Sequence, residues 1–122
     1  MSIERSLAII FGLVFILVGI AGFVPNLLTD GNLLMGLFMV DPIHNSVHLL
    51  SGIIALIAAS TTVFSRLYFQ IFGTVYGIVA LIGFITGGNL IVMHMNIADN
   101  FLHLIIAVVA LFIGFFMRRK MS

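Results

Sequence analysis

The sequence predicts an all-α integral membrane protein, a four-helix bundle built from two parallel helix–loop–helix repeats. Three observations predict it. Hydrophobic residues make up 62% of the chain and charged residues 7%, against about 45–50% and about 25% in ordinary soluble domains, and the mean hydropathy is +1.33. Four apolar stretches, at about 6–24, 43–64, 67–86 and 97–117, are each close to the roughly 20 residues a helix needs to cross a bilayer. The second half of the chain also echoes the first. So little polar surface cannot cover a water-soluble globule of this size, and the whole chain (1–122) is read as one membrane domain whose main partner is lipid. Spans this long and this few do not suit a closed β-barrel, which leaves helix as the spanning state.

The first stretch is longer than the apolar core of a cleaved signal and is followed by no small-residue cleavage pattern, so it reads as a retained span. The connection at 25–41 opens with turn chemistry at Asn26, Thr29, Asp30, Gly31 and Asn32. It then turns apolar over 33–40, too short to span, and is expected to lie in the interface or fold back over the bundle. The second and third stretches are expected to form a tight hairpin around Ser65–Arg66. The connection at 87–95 repeats the turn-then-apolar pattern of the first.

All five basic residues, Arg5, Arg66, Arg118, Arg119 and Lys120, fall at the N-terminus, between stretches two and three, or at the C-terminus. The positive-inside rule then puts both termini in the cytoplasm. Residues 118–120 read as an anchor for anionic lipid. The histidines (44, 48, 94, 103) and aspartates (30, 41, 99) all belong to the outer side. A net charge of +1 gives no reason to expect nucleic acid. The absence of cysteine removes disulfides, thiolate zinc sites and iron–sulfur clusters.

The internal echo has two parts. Arg5, Gly12, Phe15 and Gly22 align with Arg66, Gly73, Tyr76 and Gly83 at an offset of sixty-one residues, and residues 41–52 align with 96–107 at fifty-five. Repeat one is about 5–64 and repeat two about 66–117. Each copy starts and ends on the cytoplasmic side, so an axis along the membrane normal relates them.

The paired segments D-P-I-H-N-S-V-H and N-I-A-D-N-F-L-H hold most of the chain's polar side chains. His48 and His103 each lie seven residues after the helix start, or about 10 Å into the helix. His44, His48, Ser51, Ala55 and Ala59 share one face, and Asp99, His103, Ala107, Ala110 and Gly114 share the matching one, with small residues that favour close helix approach.

Several readings fit these segments. In the structural one, Asp41 and Asn96 cap their helices, Pro42 suits a first helical position, and Asp99 completes a capping-box-like pair. Asn45 and Asn100 complete a polar network that locks stretches two and four. In the second reading, His44, His48, Asp99 and His103 hold a divalent transition metal such as zinc. In the third, His48 and His103 ligate a haem. In the fourth, the small bundle packs with copies of itself or serves as an accessory subunit of a larger membrane complex. No serine or acid pair recurs with a recognisable base, so the residues point away from an enzyme.

The stretch G-L-F-M-V-D-P-I-H-N-S-V-H-L-L-S-G (36–52), together with N-I-A-D-N-F-L-H-L (96–104), resembles the domain-of-unknown-function family 4383. Those small bacterial membrane proteins have four expected spans and are broadly similar to the DoxX-like group. The resemblance covers nearly the whole chain. It implies a multi-pass protein of the bacterial cytoplasmic membrane and carries over the motif positions His44, Asn45, His48, Asp99, Asn100 and His103 without a role.

Overall fold

A computed structural model describes residues 1–117. The basic run 118–120 lies outside the described residues. The described chain is mostly helical, with four main helices: α1 (Ile3–Ala21), α2 (Pro42–Ala58), α3 (Thr62–Thr86) and α4 (Ile97–Leu111), the last continued by a π-helical turn, Phe112–Phe116. Three helical stretches, Ile3–Ala21, Thr62–Thr86 and Ile97–Phe116, are long and apolar enough to cross a membrane. α2 is apolar but shorter, at 17 residues.

Each helix begins where a polar side chain satisfies a backbone N–H that has no partner inside the helix. Ser2, Asp41, Thr61 and Asn96 accept from the N–H of Arg5, His44, Phe64 and Asp99 respectively. α3 ends at Gly87, whose φ of 72° is the left-handed conformation glycine adopts at least cost.

The turn between α2 and α3 falls at residues 59–61, earlier than the Ser65–Arg66 connection the charges suggest. Ser65 lies inside α3, where its hydroxyl donates to the carbonyls of Ala58 and Thr61. Arg66 also lies inside α3, and its guanidinium reaches the Gly114 carbonyl at 3.3 Å. A long cationic side chain can leave its backbone in an apolar helix and carry the charge elsewhere.

The helices pack as two antiparallel pairs, α1 with α2 and α3 with α4. In the first seam Gly12 meets Leu56 and Gly52, Gly19 meets Leu49, and Gly22 meets Asn45. In the second, Gly73 meets Leu111, Gly77 meets Ala107, and Gly83 meets Asn100. A Cβ on Gly22 would land on the Asn45 amide oxygen, and one on Gly83 on that of Asn100. Only glycine permits those approaches.

Ala8, Ala55, Ala59, Phe69, Ala110 and Ile113 form the core at one end of the bundle. Phe15, Tyr76 and Ala107 continue it. At the Ala8 end Arg5 Nε donates to the Ala59 carbonyl at 2.7 Å, and Gln70 Nε2 joins Arg66 on the Gly114 carbonyl at 2.8 Å. Glu4, Thr62 and Ser65 are fully buried there.

Both connections at the opposite end fold into small antiparallel sheets. β1 (Leu28–Thr29), β2 (Leu33–Leu34) and β3 (Phe38–Met39) form one, and β4 (Asn89–Leu90) and β5 (Met93–His94) the other. Leu34, Val40, Met93 and Met95 are buried against the helices, whereas Met35, Leu37, Ile91 and Val92 face outward. The connections thus fold back over the helix ends as expected, but as two-residue strands.

Candidate functional site

Beneath those sheets lies a layer of three histidines. His44 and His48, one turn apart on α2, meet His103 on α4, and all three are at most 3% exposed. Their ring centroids are 4.4 Å (His44–His48), 5.3 Å (His44–His103) and 5.9 Å (His48–His103) apart. One ring nitrogen from each histidine lies within 4.8 Å of the others. The α2–α4 contact runs through these side chains, with His44 Nε2 3.3 Å from His103 Nε2. Neither ring nitrogen of His48, nor Nδ1 of His103, has a hydrogen-bond partner among the described residues.

Phe15 and Tyr76, on α1 and α3, form the floor. Their rings stack at 5.4 Å, with Phe15 5.7 Å from His48 and Tyr76 5.4 Å from His103. The Tyr76 hydroxyl pairs with Ser51 Oγ at 2.9 Å, and the Tyr68 hydroxyl donates to the Ser51 carbonyl. A cavity of about 70 Å³ lies among His44, His48, His103, Tyr76, Ser51 and Met93. His48 also lines an apolar groove of about 210 Å³ between α1 and α4, with Phe11, Phe15, Leu102 and Ile106.

The capping interactions use other atoms. Asp41 Oδ1 accepts from the His44 backbone N–H at 2.7 Å. Asn96 and Asp99 form a reciprocal capping box: Asp99 N–H donates to Asn96 Oδ1 at 2.9 Å, and Asn96 N–H to Asp99 Oδ2 at 3.0 Å. The Asn96 amide also donates to the Leu37 carbonyl at 2.7 Å, tying the first connection to the start of α4. Asp99 is fully buried, but its oxygens are not among the converging donors. Helix spacing places Asp99 on the face of His103, and the capping box turns it toward the helix end.

Asn45 and Asn100 are buried against Gly22 and Gly83, and neither amide oxygen has a hydrogen-bond partner among the described residues. They pack within the α1–α2 and α3–α4 pairs. His94 is exposed on β5, away from the cluster.

Three imidazoles converging without a competing salt bridge can accept a transition-metal ion, which would replace the hydrogen bond between His44 Nε2 and His103 Nε2. Two nitrogens each about 2.0–2.1 Å from a tetrahedral ion stand about 3.3–3.4 Å apart, which the His44–His103 separation of 3.3 Å matches. A haem between His48 and His103 does not fit this arrangement. His44 lies against both rings, and about 70 Å³ holds a few atoms, well short of a macrocycle.

Sequence reasoning placed Ser51 on the histidine face and aligned Tyr76 with Phe15, but it assigned neither them nor Met93 to the site. A tyrosine in an apolar helix needs a partner for its hydroxyl, which was the available sign for Tyr76. Met93 had none, because it reaches the site through the fold of its connection.

Fold and site together define a small helical protein, with apolar helices suited to lipid contact and a buried tri-histidine cluster. The chain belongs to the family described as Domain of unknown function (DUF4383), whose model matches residues 5–116. No curated protein and no solved structure matches it.

Proposed function

We propose that this protein is a multi-pass membrane protein that binds a first-row transition-metal ion through His44, His48 and His103. The observation that carries the reading is the buried group of converging imidazole nitrogens, with His48 unpartnered at both ring nitrogens. Burying a polar group without a hydrogen bond costs on the order of 1–3 kcal/mol, and a bound ion would offset that cost. Helix capping gives no alternative account of these rings, since Asp41, Asn96 and Asp99 supply the caps.

All four helices span the membrane in this reading, with both termini cytoplasmic and the histidine layer toward the outer face. α2 would extend about 26 Å at 1.5 Å per residue, slightly less than a hydrocarbon core of about 30 Å. Outward-facing apolar side chains on every helix, such as Leu17, Leu50, Ile57, Leu81, Ile85 and Ile105, support lipid contact. Arg5 and Arg66 lie at the end opposite the histidines, which agrees with the positive-inside rule.

The two-repeat reading is supported by recurring contacts. Arg5–Ala59, Gly12–Leu56 and Gly22–Asn45 reappear as Arg66–Gly114, Gly73–Leu111 and Gly83–Asn100. In each case the first member advances by sixty-one residues and the second by fifty-five.

The test is metal analysis of protein purified in detergent without chelator, followed by zinc titration against a competing indicator dye. Wild type is expected to bind one ion per chain, and His48→Ala and His103→Ala to bind none while keeping the helical circular-dichroism signal. Failure of the wild type to hold any offered ion, or undiminished binding by both variants, overturns the reading.

A further inference from the structure

We infer that the site prefers monovalent copper, with the Met93 thioether as a fourth donor delivered by the β4–β5 hairpin. This inference rests on the metal reading above and concerns which ion the site takes. Met93 is buried on β5 and lines the same small cavity as the three histidines. It pairs with Leu90 on a hairpin whose tip, Ile91–Val92, faces outward. A sulfur at this point is a soft, polarisable donor, and thioether and imidazole together favour copper(I) over harder divalent ions.

Charge points the same way. All four donors are neutral, so a bound ion keeps its full charge within the buried layer. The Born cost of burying an ion grows with the square of its charge, so a divalent ion pays about four times as much as a monovalent one of equal size. Asp99, one turn from His103 on α4, is the fully buried carboxylate at this end of the described chain. One carboxylate balances a monovalent ion and leaves a divalent one half compensated. Asp41, which caps the turn that carries His44, is only partly buried and is screened by its exposure.

The experiment uses the full chain in detergent under anaerobic, reducing conditions. Copper(I) is titrated against a chromophoric copper(I) chelator and zinc against a zinc indicator, for wild type, Met93→Leu and His48→Ala. X-ray absorption is recorded on the copper(I)-loaded wild type. The expected result is a sulfur scatterer in the first shell and a loss of about tenfold or more in copper(I) affinity for Met93→Leu, with zinc affinity little changed. Three results overturn the inference while leaving the metal site standing: an all-nitrogen copper shell, an unchanged copper(I) affinity in Met93→Leu, or an equal loss for both ions. The absorption measurement needs only wild-type protein, so the inference stays testable if Met93→Leu misfolds. A wild type that binds neither ion removes the site and the inference together.

Discussion

Replacing Gly22 by alanine tests the seam that positions the histidine-bearing turn of α2. The new Cβ would overlap the Asn45 amide oxygen and stand 2.5 Å from its carbon and 2.8 Å from its nitrogen. All three amide atoms are too close, so flipping the amide gives no relief. Either α1 moves away from α2, or Asn45 leaves its buried position against Gly22. Gly22 closes the end of α1, so alanine gains little helix propensity to compensate. Overpacking of this kind costs about 1–3 kcal/mol.

Gly77 is the control, because a Cβ there meets only the Ala107 methyl at 3.6 Å, an ordinary contact. Alanine at this interior position of α3 is expected to stabilise by about 0.5–1 kcal/mol. Thermal melts in detergent, followed by circular dichroism, should place Gly22→Ala below wild type and Gly77→Ala at or above it. Adding Asn45→Ala to Gly22→Ala removes the obstacle, so the two changes should couple in a double-mutant cycle. A Gly22→Ala melt equal to wild type, or strict additivity with Asn45→Ala, refutes the steric argument.

Losing the cap in Asp41→Ala should cost about 1 kcal/mol; Asn96→Ala should cost more, because it also breaks the tether to Leu37, and comparative melts read the difference. Tyr76→Phe leaves the Ser51 hydroxyl without its partner and is expected to destabilise by about 0.5–1.5 kcal/mol, with metal stoichiometry unchanged in the titration. Metal affinity should fall as pH is lowered, because protons and the ion compete for the same imidazole lone pairs. Titrations at successively lower pH check this, and a pH-independent affinity would point to ligands other than histidine.

The sequence carried the helices and the depth of the histidines, because both follow from spacing along a single helix. Asp41 and Asn96 were legible as caps since capping is a local interaction. The α2–α3 turn was not legible: apolar residues surround these helices on every side, which erases the periodicity that marks helix ends in soluble proteins. Charge was then the remaining guide, and Arg66 misled it by sitting inside a helix with its guanidinium on Gly114. Asp99 was legible as the capping-box partner of Asn96, but helix spacing gives only its face, so its direction relative to the histidines was not. Tyr76 and Met93 come from a different helix and a connecting hairpin, and no pattern within α2 or α4 could bring them in.

The contacts that recur between the two halves part company at several positions, among them the one where the first half carries His44 and the second Asp99. Under the duplication proposed above, an ancestral chain with one helix pair would have assembled as two identical copies, and any residue at this position would have appeared twice. Two histidines would have crowded the layer with a fourth imidazole, and two carboxylates would have put a pair of like charges at the mouth of a dry site. On that reading, joining the copies into one chain would have released each position to vary alone, so that one half could carry the proposed ligand and the other a carboxylate. Such a mismatch would be open to a fused chain and closed to a symmetric dimer, in which every substitution is made twice.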